Sequence, residues 1–220
     1  MNRRPGVTIT FAQSLDGRIA TKAGVSQWIS GSETLELAHQ RRNDHDAILV
    51  GVGTVLADNP QLTCRLPGGS SPLRVVIDSE VRTPASATLV QTTREVPTLL
   101  FASARHARER AADLKSHGAV VVVVAETEPG RLDLSEVLAV LAERGIESVL
   151  VEGGSAIITS MIAANLWDRL IVVLAPMIIG EGTSSVGDLG VVDLANAPRA
   201  RTVRVYQAGE DVVWEMERRP

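Results

Sequence analysis

The residues best suited to chemistry in this sequence stand where an apolar strand ends in two glycines. Residues 148–151 are followed by Glu152, Gly153, Gly154 and Ser155. Glycine lets another group approach the backbone, and the first N–H groups of a following helix suit an anion such as a pyrophosphate. Glu152 ends its strand, where open α/β sheets bind their ligands. The pattern predicts an anion site here, with a plain strand-to-helix turn as the alternative.

The elements around this turn predict an α/β fold. The unbroken apolar run before the glycines is typical of a central strand covered on both faces, and Ser155 is the expected N-cap of the next helix. Intervening helices predict parallel pairing, and the last two strands predict an antiparallel hairpin, so the sheet should be mixed. The other predicted strands are residues 7–12, 47–50, 73–77, 98–102, 120–124, 170–175, 203–206 and 212–216.

A second strand exit also carries glycines, Gly51 and Gly53, and leads into a short helical turn that stops at Asp58-Asn59-Pro60. It lacks the third glycine of the dinucleotide fingerprint, so by itself it is weak evidence for a nucleotide. Two glycine-rich exits in one chain favour a bound cofactor. Trp28 stands in a polar loop, where it is either a buried anchor of the loop or a ligand contact.

Local signals also predict two capped helices and one mobile loop. Ser30 and Glu33 have the capping-box spacing for a helix over residues 31–43, and Asp133 and Glu136 have it for a helix that ends at Gly145. Residues 105–117 form another predicted helix. The glycine-rich residues 176–182 are expected to be mobile.

Composition limits the classes of function. The chain has 220 residues, 45% of them hydrophobic, which predicts one domain over residues 1–220. A net charge of −4 and a pI near 5.6 argue against a nucleic-acid or anionic-membrane surface. The single cysteine, Cys64, suits a reducing compartment. No apolar run reaches the length of a membrane span, so we expect a cytoplasmic protein with no membrane partner.

Several catalytic chemistries lack their motifs in this sequence. The histidines have no zinc-ligand neighbours at the usual spacing, so no metal is expected. There is no H-x-E with P-C-x-x-C, which excludes zinc deaminase chemistry, and there is no G-x-S-x-G or P-loop lysine motif. These absences favour cofactor chemistry over a side-chain nucleophile.

Five segments resemble, in order, those of the pyrimidine reductases of riboflavin biosynthesis, the RibD C-terminal or dihydrofolate-reductase-like family. The resemblance covers essentially the whole chain and is more specific than any single motif. It implies a three-layer α/β fold with a mixed, mostly parallel sheet of about nine strands flanked by helices, and a homodimer. The segments are Ser14-Leu15-Asp16-Gly17-Arg18, Ser26-Gln27-Trp28-Ile29, Val50-Gly51-Val52-Gly53-Thr54-Val55-Leu56-Ala57-Asp58-Asn59-Pro60, Arg74-Val75-Val76-Ile77-Asp78-Ser79 and Val151-Glu152-Gly153-Gly154.

The resemblance also implies an oxidoreductase activity. Such reductases use NADPH to convert the ribosylamino side chain of a phosphorylated pyrimidine to a ribitylamino group, by hydride transfer to C1′ of the ribose. The implied NADPH-binding residues are Ala12, Trp28, Thr54, Asp58, Ser79, Gly153, Gly154 and Ser155. The implied substrate-binding residues are Ser26, Arg42, Leu62, Arg65 and Glu152.

The implied roles follow the chemistry of each side chain. The guanidinium groups of Arg42 and Arg65 suit the sugar phosphate, because their fork of N–H donors matches phosphate oxygens. Glu152 accepts hydrogen bonds from the pyrimidine. Asp58 is the expected catalytic proton donor, and an ordered water is the alternative.

One departure from the family bears on the substrate. Thr10 stands where bifunctional members usually carry lysine, so the chain resembles the stand-alone reductases that act on the diaminopyrimidinone before its deamination. The choice between the two pyrimidines stays open. Two other functions also stay open: a reductase of this fold for another pyrimidine or a pterin, and a nucleotide-binding module without turnover. The first would not need both Arg42 and Arg65, and the second would not oxidise bound NADPH.

Overall fold

The computed structural model describes residues 4–219. Its helices are α1 (Ser32–Asn43), α2 (Val52–Asp58), α3 (Thr88–Gln91), α4 (Ala104–Ser116), α5 (Leu134–Glu143) and α6 (Ser155–Ala163), with a 3₁₀ turn at Leu194–Asn196. Its strands are β1 (Gly6–Ser14), β2 (Arg18–Thr21), β3 (Ala47–Gly51), β4 (Leu73–Ile77), β5 (Thr98–Ala102), β6 (Val120–Val123), β7 (Glu126–Glu128), β8 (Arg131–Leu132), β9 (Ser148–Gly153), β10 (Arg169–Ala175), β11 (Gly182–Ser184), β12 (Ala200–Ala208) and β13 (Asp211–Arg218).

Nine strands form a mixed, mostly parallel sheet, which confirms the predicted fold class. The other strands pair in two small sheets, β2 with β11 and β7 with β8. The chain divides into two compact units. Unit 1 comprises the described residues up to Gly6 together with Gln40–Leu150, and unit 2 comprises Val7–His39 and the described residues from Val151 on. The single domain over residues 1–220 stays a prediction.

Unit 1 is built on the parallel strands β3, β4, β5 and β6, which lie side by side in that order. All residues of β3 and β5 are buried, as their unbroken apolar sequences predict for strands covered on both faces. One face packs into a large apolar cluster with residues from α2, α3 and α4. The cluster includes Ile48, Val50, Val55, Val76, Leu89, Leu100, Ala107 and Leu114.

An arginine is buried in the core of unit 1. Arg74, the second residue of β4, is 0% exposed. Its Nη1 donates to Thr92 Oγ1 at 2.8 Å and to the Gln61 carbonyl at 3.2 Å, and its Nη2 donates to the Val96 carbonyl. Burial lowers the pKa of Arg74 to about 10. The guanidinium therefore ties two segments of the chain to β4, one at Gln61 and the other the turn that contains Thr92 and Val96.

Unit 2 is built on β12, β13, β10 and β1, in that order. β1 runs parallel to β10, with Ala12 opposite Val173 and Ser14 opposite Ala175. β10 and β13 are antiparallel, and β12 and β13 form the predicted terminal hairpin. A smaller apolar cluster, centred on Val213, covers one face of these strands.

The predicted elements agree with the observed ones to within about two residues at most ends. The bounds of β4 and β5 are those predicted, and α4 is shifted by one residue. The short strands β2, β7, β8 and β11 were not predicted, because two to four residues are too few for a periodic pattern. No helix within residues 4–219 is long and apolar enough to cross a membrane.

Candidate active site

The glycine turn after β9 opens directly into α6. Glu152 is half-buried at the end of β9. Gly153 has a φ of +119°, a left-handed value that favours glycine, and the Gly153–Gly154 peptide bond is cis. Gly154 is the N-cap and Ser155 is the first helical residue. The predicted N-cap at Ser155 is therefore wrong by one residue, because the extended backbone required of a cap occurs at Gly154.

The start of α6 has the properties of an anion site. No side chain caps it. The first N–H groups of any α-helix lack acceptors within the helix and lie at the positive end of its dipole. At α6 this region is preceded by Gly153 and Gly154, which have no side chains to block the approach of a phosphate to the backbone.

Ala12 lies close to the carboxyl end of the parallel pair β1 and β10. It is half-buried and packs against the cluster around Val213. Thr10, two residues earlier, is on the same face of β1 and is 6% exposed. Since both strands end at the pair Ser14 and Ala175, this edge of unit 2 is the ligand-binding edge expected of an α/β sheet.

The loop before α1 exposes its tryptophan. Trp28 is 72% exposed, so the alternative of a buried anchor is wrong and a surface for a ligand is available. Ser26, two residues earlier, is half-buried. The loop begins at a tight turn in which the Thr21 N–H donates to the Val25 carbonyl at 3.0 Å.

The turn after β1 is hydrogen-bonded to the segment after β10. Arg18 donates through Nε to the Gly180 carbonyl at 2.8 Å and through Nη1 to Ser184 Oγ. Asp16 accepts from Ser14 Oγ at 2.6 Å, and this bond, with those from the segment after β10, lowers the pKa of Asp16 to about 2. The prediction of a mobile glycine-rich loop overlooked these contacts, because their partners lie far away in sequence.

In unit 1, α2 carries two of the predicted cofactor residues. Thr54 and Asp58 are four residues apart, which places them on the same face of the helix, and both are half-buried. Asn59 ends the helix in the left-handed conformation, with φ +41°, as the Asp-Asn-Pro sequence predicts. Ser79 follows β4 and donates from Oγ to the Gly130 carbonyl at 2.8 Å.

Two of the predicted substrate residues of unit 1, Leu62 and Arg65, lie in the segment after α2, and the third, Arg42, donates a hydrogen bond to this segment. Arg42, in the last turn of α1, donates from Nη1 to the Thr63 carbonyl at 3.1 Å. Arg65, two residues further on, is exposed. Leu62 is 3% exposed with φ +54°, and its side chain belongs to the core cluster, so only its backbone is available to a ligand. Arg74 holds the same segment at Gln61.

Sequence reasoning missed the residues that hold these segments in place. Asp16, Arg18 and Arg74 were identified only as members of segments that resemble the reductase family. The sequence around Asp211, at the start of β13, contains no pattern that indicates such a contact. Among residues 4–219, no group of three His, Cys, Asp or Glu side chains is arranged to hold a metal ion.

The RibD C-terminal domain family matches residues 5–214. The chain belongs to this family. It is 40% identical over 217 residues to the 2,5-diamino-6-ribosylamino-4(3H)-pyrimidinone 5′-phosphate reductase of Methanothermobacter thermautotrophicus, covering 96% of this chain and 97% of that one. It is 37% identical over 211 residues to the riboflavin biosynthesis protein RibD of Aquifex aeolicus, covering 96% of this chain but only 57% of the relative.

Solved structures agree with the RibD C-terminal domain assignment. The Thermotoga maritima diaminohydroxyphosphoribosylaminopyrimidine deaminase/5-amino-6-(5-phosphoribosylamino)uracil reductase superposes with a TM-score of 0.77 at 29% identity, covering 98% of this chain and 57% of that one. Dihydrofolate reductase from Enterococcus faecalis superposes with a TM-score of 0.57 at 14% identity, covering 98% and 99%. The second match confirms the dihydrofolate-reductase-like fold.

Proposed function

We propose that this chain is an NADPH-dependent reductase that converts the ribosylamino side chain of 2,5-diamino-6-ribosylamino-4(3H)-pyrimidinone 5′-phosphate to a ribitylamino group. The observation that carries the proposal is the match to the Methanothermobacter reductase over 97% of its length. The match to the Aquifex relative covers 57% of that protein's length. Threonine at position 10, where bifunctional members of the family usually carry lysine, favours the diaminopyrimidinone over its deaminated counterpart.

The glycine turn and α6 fit a nicotinamide dinucleotide. Gly153 and Gly154 carry no side chain to obstruct a diphosphate, and the start of α6 lacks a side-chain cap that would compete for its N–H groups. Gly153 to Ser155 would hold the diphosphate, with Ala12, Trp28, Thr54, Asp58 and Ser79 along the rest of the cofactor. When bound, the reduced nicotinamide supplies the hydride that the ribose C1′ accepts.

Residues of the protein, in contrast to the cofactor, would bind and orient the substrate. Arg42 and Arg65 would bind the 5′-phosphate, and Ser26 and the backbone at Leu62 would contact the sugar. Glu152 would accept hydrogen bonds from the pyrimidine, and this orientation of the substrate would present the ribose C1′ to the hydride. C1′ can accept a hydride only after the ribosylamine opens to an imine: the bond from C1′ to the ring oxygen breaks, that oxygen gains a proton and the amine nitrogen loses one. The nitrogen regains a proton when the hydride adds to C1′. We assign Asp58 the proton transfer that accompanies ring opening, because it is a half-buried carboxylate on the same face of α2 as Thr54.

We also propose a homodimer in the cytoplasm. Four apolar side chains of the hairpin β12–β13 are exposed: Val205 (55%), Val203 (43%), Trp214 (39%) and Val212 (37%). Exposed apolar side chains on β12, the edge strand of the sheet, and on its neighbour β13 suit a protein–protein contact. Light scattering after gel filtration should give twice the chain mass, and Val205→Glu should give a monomer. A monomeric wild type would contradict the dimer.

The reaction is tested by NADPH absorbance with each of the two pyrimidines, both as ribosylamino 5′-phosphates, and with NADH in parallel. We expect oxidation of NADPH with the diaminopyrimidinone and much slower oxidation with the deaminated compound or with NADH. Faster turnover of the deaminated compound would reverse the substrate assignment. Tight NADPH binding without oxidation by either pyrimidine would contradict the proposed reaction.

A further inference from the structure

Helix α1 has little apolar packing to hold it. Among its residues only Thr34 is buried, and Leu37 packs partly against the cluster around Val213. Its sequence has no apolar stripe, since charged or polar residues occur on all of its faces. A helix of this kind depends on interactions other than hydrophobic burial.

The start of α1 is held by a carboxylate from the far end of the chain. Asp211, the first residue of β13, is 3% exposed. Its Oδ2 accepts the Gly31 N–H at 2.8 Å, between residues 180 positions apart. The same oxygen lies 2.9 Å from Thr34 Oγ1, whose hydroxyl is also 2.9 Å from the Gly31 carbonyl. A carboxylate at this end of the helix also interacts favourably with the helix dipole.

The capping box predicted for α1 is therefore replaced by a tertiary contact. The Glu33 carboxylate accepts from Ser32 Oγ at 3.0 Å and lies against Gly209, in the turn that joins β12 to β13. A Cβ on Gly209 would be 2.7 Å from Glu33 Oε2. The hairpin turn and the helix start are thus closely packed at both Asp211 and Gly209.

We propose that Asp211 is a positioning residue for ligand binding: its carboxylate fixes the first turn of α1 and, through it, the loop that carries Ser26 and Trp28. Gly31 is three residues after Trp28, so the anchored N–H limits how far the tryptophan can move. The assignment of Ser26 to the substrate and Trp28 to the cofactor rests on the proposed function. The fixing of the loop by Asp211 does not.

Removing the Asp211 carboxylate should weaken ligand binding by more than the accompanying loss of stability explains. In Asp211→Ala, the Gly31 N–H and the buried Thr34 hydroxyl lose their carboxylate acceptor, and the first turn of α1 should fray. Small displacements of ligand-contacting groups are costly, so we expect the Kd for NADPH and the KM for the pyrimidine each to rise about 10-fold. The melting temperature should fall by roughly 2–8 °C.

Asp133→Ala is the matched control, because Asp133 caps α5 with hydrogen bonds to the Ser135 and Glu136 N–H groups at 2.8 and 3.2 Å. It removes the same kind of acceptor from a helix that carries no proposed site residue. Asp133→Ala should lower the melting temperature by a similar amount and leave Kd and KM unchanged. Asp211→Asn keeps an acceptor oxygen of the same size and should restore most of the binding.

Hydrogen exchange of the free protein provides a test that does not depend on turnover. Asp211→Ala should speed exchange in residues 26–36 by at least about 10-fold and leave residues 104–116 of α4 unchanged. Thr34→Val, which replaces the hydroxyl with a methyl group, should give a smaller change in the same segment, and it provides the test if Asp211→Ala does not fold. Unchanged exchange in residues 26–36, or binding losses equal to those of Asp133→Ala, would overturn the proposal. A wild type that does not reduce the pyrimidine would contradict only the proposed function.

Discussion

The carboxylate of Asp16 accepts the backbone N–H of Gly180 at 2.7 Å, between residues 164 positions apart. Its other oxygen accepts the Ile179 N–H at 3.0 Å, and Arg18 returns a hydrogen bond to the Gly180 carbonyl. The Leu15 N–H donates to the Met177 carbonyl at 2.8 Å. The turn after β1 and the segment after β10 are therefore joined at the edge of unit 2 where we place the ligands.

This junction should respond to pH in a defined range. The pKa of Asp16 falls from 3.8 to about 2 in the folded protein, with the Ser14 hydroxyl as the largest cause. A lowered carboxylate pKa stabilises the junction above about pH 4, and this contribution is lost as the pH falls towards 2. The Gly180 amide resonance should titrate with a midpoint near 2 in the wild type and should lose this titration in Asp16→Asn. A midpoint near 3.8 would show that the hydrogen bonds do not form.

Gly154→Val tests the proposed diphosphate site. Gly154 has φ −79° and ψ −169°, an extended backbone conformation that valine also adopts, so the variant should fold. Its side chain would occupy the space over the start of α6, and the affinity for NADPH in calorimetric titration should fall by a factor on the order of 100. Gly6→Val, at the start of β1, is the control, since its added Cβ would be an ordinary 3.8 Å from the Glu147 carbonyl. Retained NADPH affinity in Gly154→Val would remove the diphosphate from this turn.

Arg65→Ala tests the proposed phosphate contact. Loss of one charge-assisted hydrogen bond should raise the KM for the pyrimidine by a factor on the order of 10 to 100, with little change in the Kd for NADPH. Arg108→Ala removes an exposed arginine from α4 and should leave both constants unchanged. An unaltered KM in Arg65→Ala would exclude Arg65 from the site.

Glu152→Gln tests the proposed pyrimidine contact. The amide keeps the size of the side chain but loses the charge and one acceptor oxygen, so the KM for the pyrimidine should rise about 10-fold while NADPH binding is retained. Glu143→Gln, on the exposed end of α5, is the control. Equal losses for both ligands would indicate damage to the turn after β9 instead of a specific contact.

Arg74→Met should cost stability and also weaken substrate binding. Methionine fills the space but leaves the Gln61 and Val96 carbonyls without their charged donor, so the free energy of unfolding in urea should fall by about 3 kcal/mol. Because Gln61 precedes Leu62 and Arg65, the KM for the pyrimidine should rise while NADPH binding changes little. An unchanged unfolding midpoint would mean that the three hydrogen bonds contribute no net stability.

Much of this protein could be predicted from local sequence patterns. The apolar runs of β3, β4, β5 and β9 identified buried strands, and the Gly153-Gly154 pair identified the turn into α6. The Asp133 cap and the Asn59 stop were also predicted correctly. These features are decided within a few residues, because strand periodicity, glycine backbone freedom and helix capping depend on near neighbours.

The tertiary structure alone decided which remote residues hold the binding segments. The contacts of Asp211 with Gly31, of Asp16 with Gly180 and of Arg74 with Gln61 join positions whose surrounding sequence contains no sign of the partner. The same holds for the exposure of Trp28, which its polar loop left undetermined. A carboxylate can accept from any nearby backbone N–H, and a guanidinium can donate to any nearby carbonyl. The particular partner is therefore selected only when folding brings distant segments together.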